Sequence, residues 1–457
     1  MIKAKTILSA VLLLASSAMF AQKNLPSNFH LTKLKNGLEV LVIEDNSVPL
    51  VTVEIAVHNG AFTEDSAYNG LSHMYEHMFF KANKALPSQE KFLERVKELG
   101  IVFNGTTGDE RVNYFFTLSN SKVNEGLEFM KNAIMYPLFL EEEMKKENPV
   151  VDGEFQRGES DPTFHLFMDW SKNMWGDLYT RKNGIGIHDV ILSCTPEKMR
   201  AIQAKYYYPN NSILVVAGDV KHDEIFKKAD ELLGAWKPSD FDIWAKNPVP
   251  EFKPLSANKT FITINENAKV PIVMMGWQGP DTRKDIQSTY AADVFSTICG
   301  LTSSKFQQQL VDAGLAFNAN IGYQTYKYVG PIQVFLVPNP QKIKEAQAKL
   351  NEIINSMDAD DFFSDEQLQT AKNQLIIQDT YSKEKTSSFI HTVTFWWASA
   401  SLDYFNSYNE NVKKVSRDDI KKYVRQYIKG QPYCAGLLLS PKMQSGMNIN
   451  SFEDLSK

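Results

Sequence analysis

Cysteine and histidine are scarce in this chain, at three and eight among 457 residues. Cys194, Cys299 and Cys434 are odd in number and far apart, which excludes a disulfide framework and makes buried free thiols the expectation. None of them has metal-ligand spacing, so any bound metal must be held by nitrogen and oxygen. No charge of one sign dominates: the net charge is −5 and there is no basic stripe, which argues against a nucleic-acid partner. A P-loop, a dinucleotide glycine fingerprint and a G-x-S-x-G elbow are all lacking. Beyond the N-terminus no apolar run reaches the ~20 residues needed to span a bilayer, so no membrane span is expected.

What is present at the start is an address. M-I-K-A-K is a short basic stretch, Thr6–Phe20 is apolar, and Ala21 ends it as the last residue before a cleavage. Residues 1–21 therefore read as a signal peptide, although Met19 departs from the usual small residue. Export delivers the remainder to the periplasm, or to the medium where no outer membrane exists. That remainder has the 43% hydrophobic and 23% charged content of a globular protein, with length for two or three domains.

Along the chain, Leu38–Ile43 and Leu50–Ala56 read as strands, followed by a helix after Gly70 and another over Ser88–Leu99. Residues 101–118 read as two strands around a turn at Gly105–Gly108. Helical periodicity covers 121–136, 140–171 and 195–207, and a strand is expected at 212–218. This order predicts mixed sheets with helices packed on them, an α+β protein. Trp236–Leu255 is rich in Pro, Asp, Lys and Asn and lacks periodicity. It divides the chain into an N-terminal domain (22–236), a linker (237–257) and a C-terminal domain (258–457). The strand at 270–277 answers the one at 51–58, so the domains are expected to be alike.

The chemistry concentrates in G-L-S-H-M-Y-E-H-M-F-F, residues 70–80. On a helix His73 and His77 are i and i+4, so both imidazoles leave one face, with Glu76 beside them. Two neutral imidazoles can hold zinc, and a neighbouring carboxylate can accept a proton from water that the ion acidifies. This is the inverted H-x-x-E-H order. A catalytic zinc needs a third protein ligand. In K-K-E-N-P-V-V-D-G-E-F, Glu147 and Glu154 are seven apart and share a helix face if the segment is helical, with Pro149 near its first turn or kinking it.

With 76 residues between His77 and Glu154, and V-V-D-G-E-F around the latter, the chain resembles the pitrilysin/insulinase family of zinc peptidases. The resemblance implies His73, His77 and Glu154 as zinc ligands, Glu76 as general base, and Glu147 as support for a ligand. N-G-T-T-G-D-E-R-V-N-Y-F at 104–115 is similar to a family strand in which Asn104 would hold the substrate backbone. Residues 212–236 and 303–319 also match family patterns. The size is that of the processing-peptidase-like members, whose two homologous α+β domains form a clamshell, the fold also called LuxS-like metallohydrolase.

One departure bears on partners. Family members that work alone carry an Arg and a Tyr in the second domain, whereas here those places fall on Leu310 or Val311 and on Phe317. Neither replacement can donate to an oxyanion. The resemblance therefore implies a heterodimer in which a sister subunit supplies the Arg/Tyr pair. Tyr323, Tyr326 or Tyr328 acting from a shifted position, or a homodimer, is the other possibility. The expected function is an exported zinc endopeptidase acting on short or unfolded peptides; the alternative is a non-catalytic scaffold subunit of the same fold. His58 is expected to be a core or rim residue, and Phe395, Trp396 and Trp397 core or interface.

Overall fold

The β-branched runs and their Gly and Pro punctuation become eleven strands in two sheets among the described residues. The structure, a computed structural model, describes residues 25–456; the expected signal peptide 1–21 lies outside them. The first sheet holds β1 (Phe29–Lys33), β2 (Glu39–Glu44), β3 (Leu50–Val57), β4 (Val102–Thr107), β5 (Val112–Ser119) and β6 (Ser212–Gly218), in the order β1-β2-β6-β3-β5-β4. The second holds β7 (Lys259–Ile264), β8 (Ile272–Gln278), β9 (Ala316–Tyr323), β10 (Pro331–Pro338) and β11 (Cys434–Leu439), ordered β7-β11-β8-β10-β9. Leaving out β1, the two orders are the same. The first pair in each is parallel, β2 with β6 and β7 with β11, and the other three pairs are antiparallel. The α+β class and the repeat are thus visible in topology, with β8 standing where β3 stands.

β6 and β11 are buried along their whole length, which explains their unbroken apolar sequences. Both faces of each sheet are covered, and the cover is exchanged. One face of the first sheet packs on its own helices through Val40, Val42, Val53, Leu214 and Val216. Its other face, Leu41, Ile43, Ala56, Ile213 and Val215, receives Phe389, Ile390 and Val393 from the helix Thr386–Ser399 of the second half. In return the helix Pro162–Trp175 lays Leu166, Trp170 and Met174 on Ile272, Met274, Cys434 and Leu438 of the second sheet. Trp170 donates its indole N–H to the Cys434 carbonyl at 3.1 Å. A Cβ on Gly276 would stand 2.7 Å from the Trp170 ring, so only glycine leaves room for it.

The exchange depends on a break that periodicity hides. The helical pattern over 140–171 is two helices, Glu141–Glu159 and Pro162–Trp175. The Asp161 carboxylate accepts the Thr163 N–H at 2.8 Å and Pro162 opens the second helix, a strong start signal. Pro149 lies inside the first helix, beyond its first turn. The helix Gln89–Leu99 keeps its expected limits, capped by Ser88 and closed by Gly100 at φ +67°. Part of the 237–257 segment is ordered: it forms a four-residue helix, Ile243–Lys246, and buries Ile243 in the first core. All three cysteines are buried and unpaired. No described helix is long and apolar enough to cross a membrane.

The β4–β5 turn plugs into the second half. Glu110, only 3% exposed, accepts the N–H groups of Lys327 and Tyr328, both at 2.7 Å. Lys182 donates to the Tyr328 carbonyl, lies 3.4 Å from Asp109 and sits over the Tyr326 ring. Arg111 donates to the His391 carbonyl and to Thr394. His58 stacks on Trp397, whose N–H bonds Glu39, so both lie where the halves meet. Burial outweighs the bonds to Glu110 and pushes its carboxyl from 4.5 up to about 7; Glu64 rises to about 7 for the same reason. Folded protein therefore keeps protons on these two carboxyls that the unfolded chain releases across that interval, and their contribution to stability should fall as pH rises from 4.5 to about 7, then level off. Urea midpoints at about pH 5 and about pH 8 test this, and Glu110→Gln should flatten the slope.

Candidate metal centre

The helix Leu71–Phe79 is amphipathic in the way the motif requires. Leu71, Met74, Tyr75 and Met78 enter the core, leaving His73 and His77 on the accessible side. Its N-terminus has no side-chain cap of its own. Glu64 supplies one from a distance, accepting the Gly70 and Ser72 N–H groups at 2.7 Å each. The two imidazole rings stand 4.8 Å apart and nearly perpendicular.

The helix Glu141–Glu159 brings Glu154 to them. Its Oε2 lies 3.4 Å from His73 Nε2 and 3.8 Å from His77 Nε2. Donors sharing a tetrahedral ion at zinc-like bond lengths stand ~3.3 Å apart, so this trio is spaced to hold one. Burial, together with the neighbouring His77, brings His73 down to about 4, so its ring is neutral with a lone pair free. The His73 Nδ1 is buried without a hydrogen-bond partner. The donor set and its spacing fit zinc.

Glu147, two turns back on the same helix face, reaches His77 on the ring's other side: Oε1 is 2.8 Å from Nδ1. Its second oxygen pairs with Lys81 Nζ at 2.6 Å. Burial alone would raise the Glu147 carboxyl, but His77 and Lys81 together hold it below the usual carboxylate value. An ionised Glu147 accepts the Nδ1 proton, which leaves the His77 Nε2 lone pair facing Glu154. Lys81 lies just past the end of the helix Leu71–Phe79, and no sequence pattern marks it as a partner of Glu147.

Glu76 is 9% exposed and turns toward β4. Thr107 donates its hydroxyl to Glu76 Oε2 at 2.7 Å. Gly105 lies under the side chain, where a Cβ would come within 2.6 Å of Glu76 Cγ. Burial raises the Glu76 carboxyl above its ordinary value, favouring a group able to take up a proton. Gly105 and Thr107 lie inside the 104–115 segment, where the resemblance singles out only Asn104; the placement of β4 brings both against Glu76.

β4 is an edge strand, with its free side open to pairing. Alternation puts Phe103, Gly105 and Thr107 on the helix side, shown by Phe103 against Phe80 and by the two contacts to Glu76. Asn104 and Thr106 fall on the opposite side. The Asn104 Oδ1 accepts the Gly105 N–H, and Asn104 is not gathered with the histidines and carboxylates. Tyr323 bonds the Pro280 carbonyl, while Tyr326 and Tyr328 lie against Lys182 and Arg283. Leu310 is buried in the second core and Phe317 is 62% exposed on β9. The partners described here for His73, Glu76, His77, Glu147 and Glu154 all come from the first half.

Two family profiles match this chain: Insulinase (Peptidase family M16) over residues 39–182, and Peptidase M16 inactive domain over 193–375. The chain belongs to the insulinase family, M16, and is a zinc-protease-like member of it. An uncharacterized zinc protease of Rickettsia felis is 26% identical over 362 residues, 79% of this chain and 85% of that protein. The crystal structure of a protease from Helicobacter pylori has a TM-score of 0.79 at 21% identity, covering 91% of this chain and 100% of that one. The first half of the periplasmic protease PqqL from Escherichia coli has a TM-score of 0.71 at 15% identity, covering 93% of this chain and 95% of that one. Against the whole of PqqL the match covers 95% of this chain and 51% of the other.

Proposed function

We propose that this protein is an exported zinc endopeptidase. The observation that carries the reading is the placement of Glu154 Oε2 within 3.4 and 3.8 Å of two imidazole nitrogens one helical turn apart. His73, His77 and Glu154 hold the ion; when bound, zinc supplies a Lewis acid that acidifies water and polarises a carbonyl. Glu76 accepts the water proton and passes it to the leaving amine. Thr107 holds the Glu76 carboxylate and Gly105 leaves it space. Glu147 and Lys81 keep the His77 ring turned toward the ion. A substrate strand adds to the free edge of β4, with Asn104 at hand for its backbone, which suits short or unfolded peptides.

The periplasmic character of PqqL and the apolar 1–21 segment support export. Pairing is supported by size: this chain matches half of PqqL, its site draws partners from one half only, and by the resemblance Leu310 or Val311 and Phe317 stand where an Arg and a Tyr would serve. A sister chain bearing that pair completes the site; a second copy of this chain is the other arrangement. Zinc analysis with cleavage of an unstructured peptide, with and without chelator, tests the chemistry. A metal-free protein, or cleavage indifferent to chelator, would overturn it. Full activity of the purified chain without a sister chain would overturn the heterodimer, and full activity as a monomer would overturn pairing of either kind.

Lys81→Met should weaken zinc binding roughly 10- to 100-fold, because Glu147 loses the charge that orients it. Competition against a chelating dye measures this directly, and unchanged affinity would remove Lys81 from that role.

A further inference from the structure

A second group of imidazole and carboxylate side chains lies on the opposite border of the first sheet. β1 pairs antiparallel with β2, with His30 opposite Val42, so His30 and Glu44 project on the same face of the two strands. The helix His222–Leu233 begins against them. Glu44 Oε1 accepts the His222 backbone N–H at 2.9 Å and meets its Nδ1 at 2.8 Å. The His30 and His222 rings stack at 3.6 Å, only 6° from parallel. One donor atom from each of His30, Glu44 and His222 lies within 4.8 Å of the other two, and all three are half-buried. Asp223 adds a carboxylate oxygen 3.4 Å from His222 Nε2.

We infer that His30, Glu44 and His222 form a second metal site, separate from the His73 centre, for a borderline divalent ion such as zinc, nickel or copper(II). Two imidazoles and one carboxylate are the donors such ions prefer, whereas calcium and magnesium demand more oxygens. The Glu44 carboxyl is held below its ordinary value, first by the His222 backbone N–H and then by the ring, so it is an anion at neutral pH. The ion takes the place of the proton shared by His222 Nδ1 and Glu44. Stacked rings direct their lone pairs side by side, so His30 must swing out of the stack for its nitrogen to converge on the same point. Rotation about its own side-chain bonds suffices, because His30 is only half-buried.

The location gives the site a task. β1 is the one strand of the first sheet without a counterpart in the second, and it holds the edge through β2 alone. An ion bridging His30 to Glu44 and His222 fastens that added strand to its neighbour and to the helix covering it. Binding to the folded state only would raise the melting temperature with the logarithm of ion concentration once the site is saturated.

Chelator-stripped protein titrated with zinc or nickel, with bound ions counted after equilibrium dialysis, tests the inference. Native protein should bind two equivalents, and the double variant His30→Gln with His222→Gln should bind one. His73→Ala with His77→Ala should retain one, and zinc should still raise its melting temperature. If the His73 centre holds no ion, native protein binds one equivalent and the His30/His222 variant none, so the two readings fail separately. Equal stoichiometry in native and His30/His222 protein would overturn the inference. Should that variant not fold, copper(II) added to the His73/His77 variant decides the matter: a resonance spectrum with two-nitrogen coupling supports the site, and one without nitrogen coupling removes it.

Discussion

Glu76→Gln should lower turnover of an unstructured peptide by about a hundred- to ten-thousand-fold while bound zinc stays at one equivalent in the His73 centre. The substitution preserves shape, so Gly105 still accommodates the side chain and Thr107 still has an oxygen to donate to. What disappears is proton-accepting capacity in a group that burial has made more basic than a free carboxylate. His73, His77 and Glu154 keep their spacing, so the ion should remain. The loss should therefore fall on kcat, with zinc content as the control; undiminished hydrolysis would exclude Glu76 as the base. His77→Ala should behave differently, releasing the metal along with activity.

Trp170→Ala should destabilise the protein by about 3–5 kcal/mol, the cost of emptying a large aromatic site in a core. Trp170 is 1% exposed, fills the hollow over Gly276 and gives its N–H to the Cys434 carbonyl. It belongs by sequence to the first half and by packing to the second. Because each half covers one face of the other's sheet, the lesion should lower the melting of both together. Calorimetry reads this as one transition displaced downward; a split into one native-like and one shifted transition would show that the halves unfold independently.

The His73–His77 pair was legible because its signal is local, two histidines one turn apart, whereas Glu154, far along the chain, was singled out by resemblance to the family. The fold brings the three together. Ser88 and Gly100 marked their helix ends for equally local reasons, a side-chain acceptor at one and a positive φ at the other. β1 escaped notice because five residues with polar members, F-H-L-T-K, carry little periodicity. The break at Asp161–Pro162 was hidden under a helical pattern that continues on both sides, although the residues that make it are strong helix starters. Thr107 and Gly105 act through the packing of β4 on the His73 helix, and Lys81 through an ion pair to a distant helix, so nothing within their own elements announces those roles. Asn104 was named by a motif, but only strand alternation shows that it lies on the side of β4 away from the Glu76 carboxylate.

The β4–β5 turn has a mechanical consequence. Glu110 and Arg111 are gripped by backbone and side chains of the far half, while a few residues back along the same strand Thr107 and Gly105 cradle the Glu76 carboxylate. The hairpin is thus held at its turn by one body while its strand lies against the Glu76 side chain of the other. A displacement of the far body would have to be absorbed within these few residues, next to the Glu76 carboxylate.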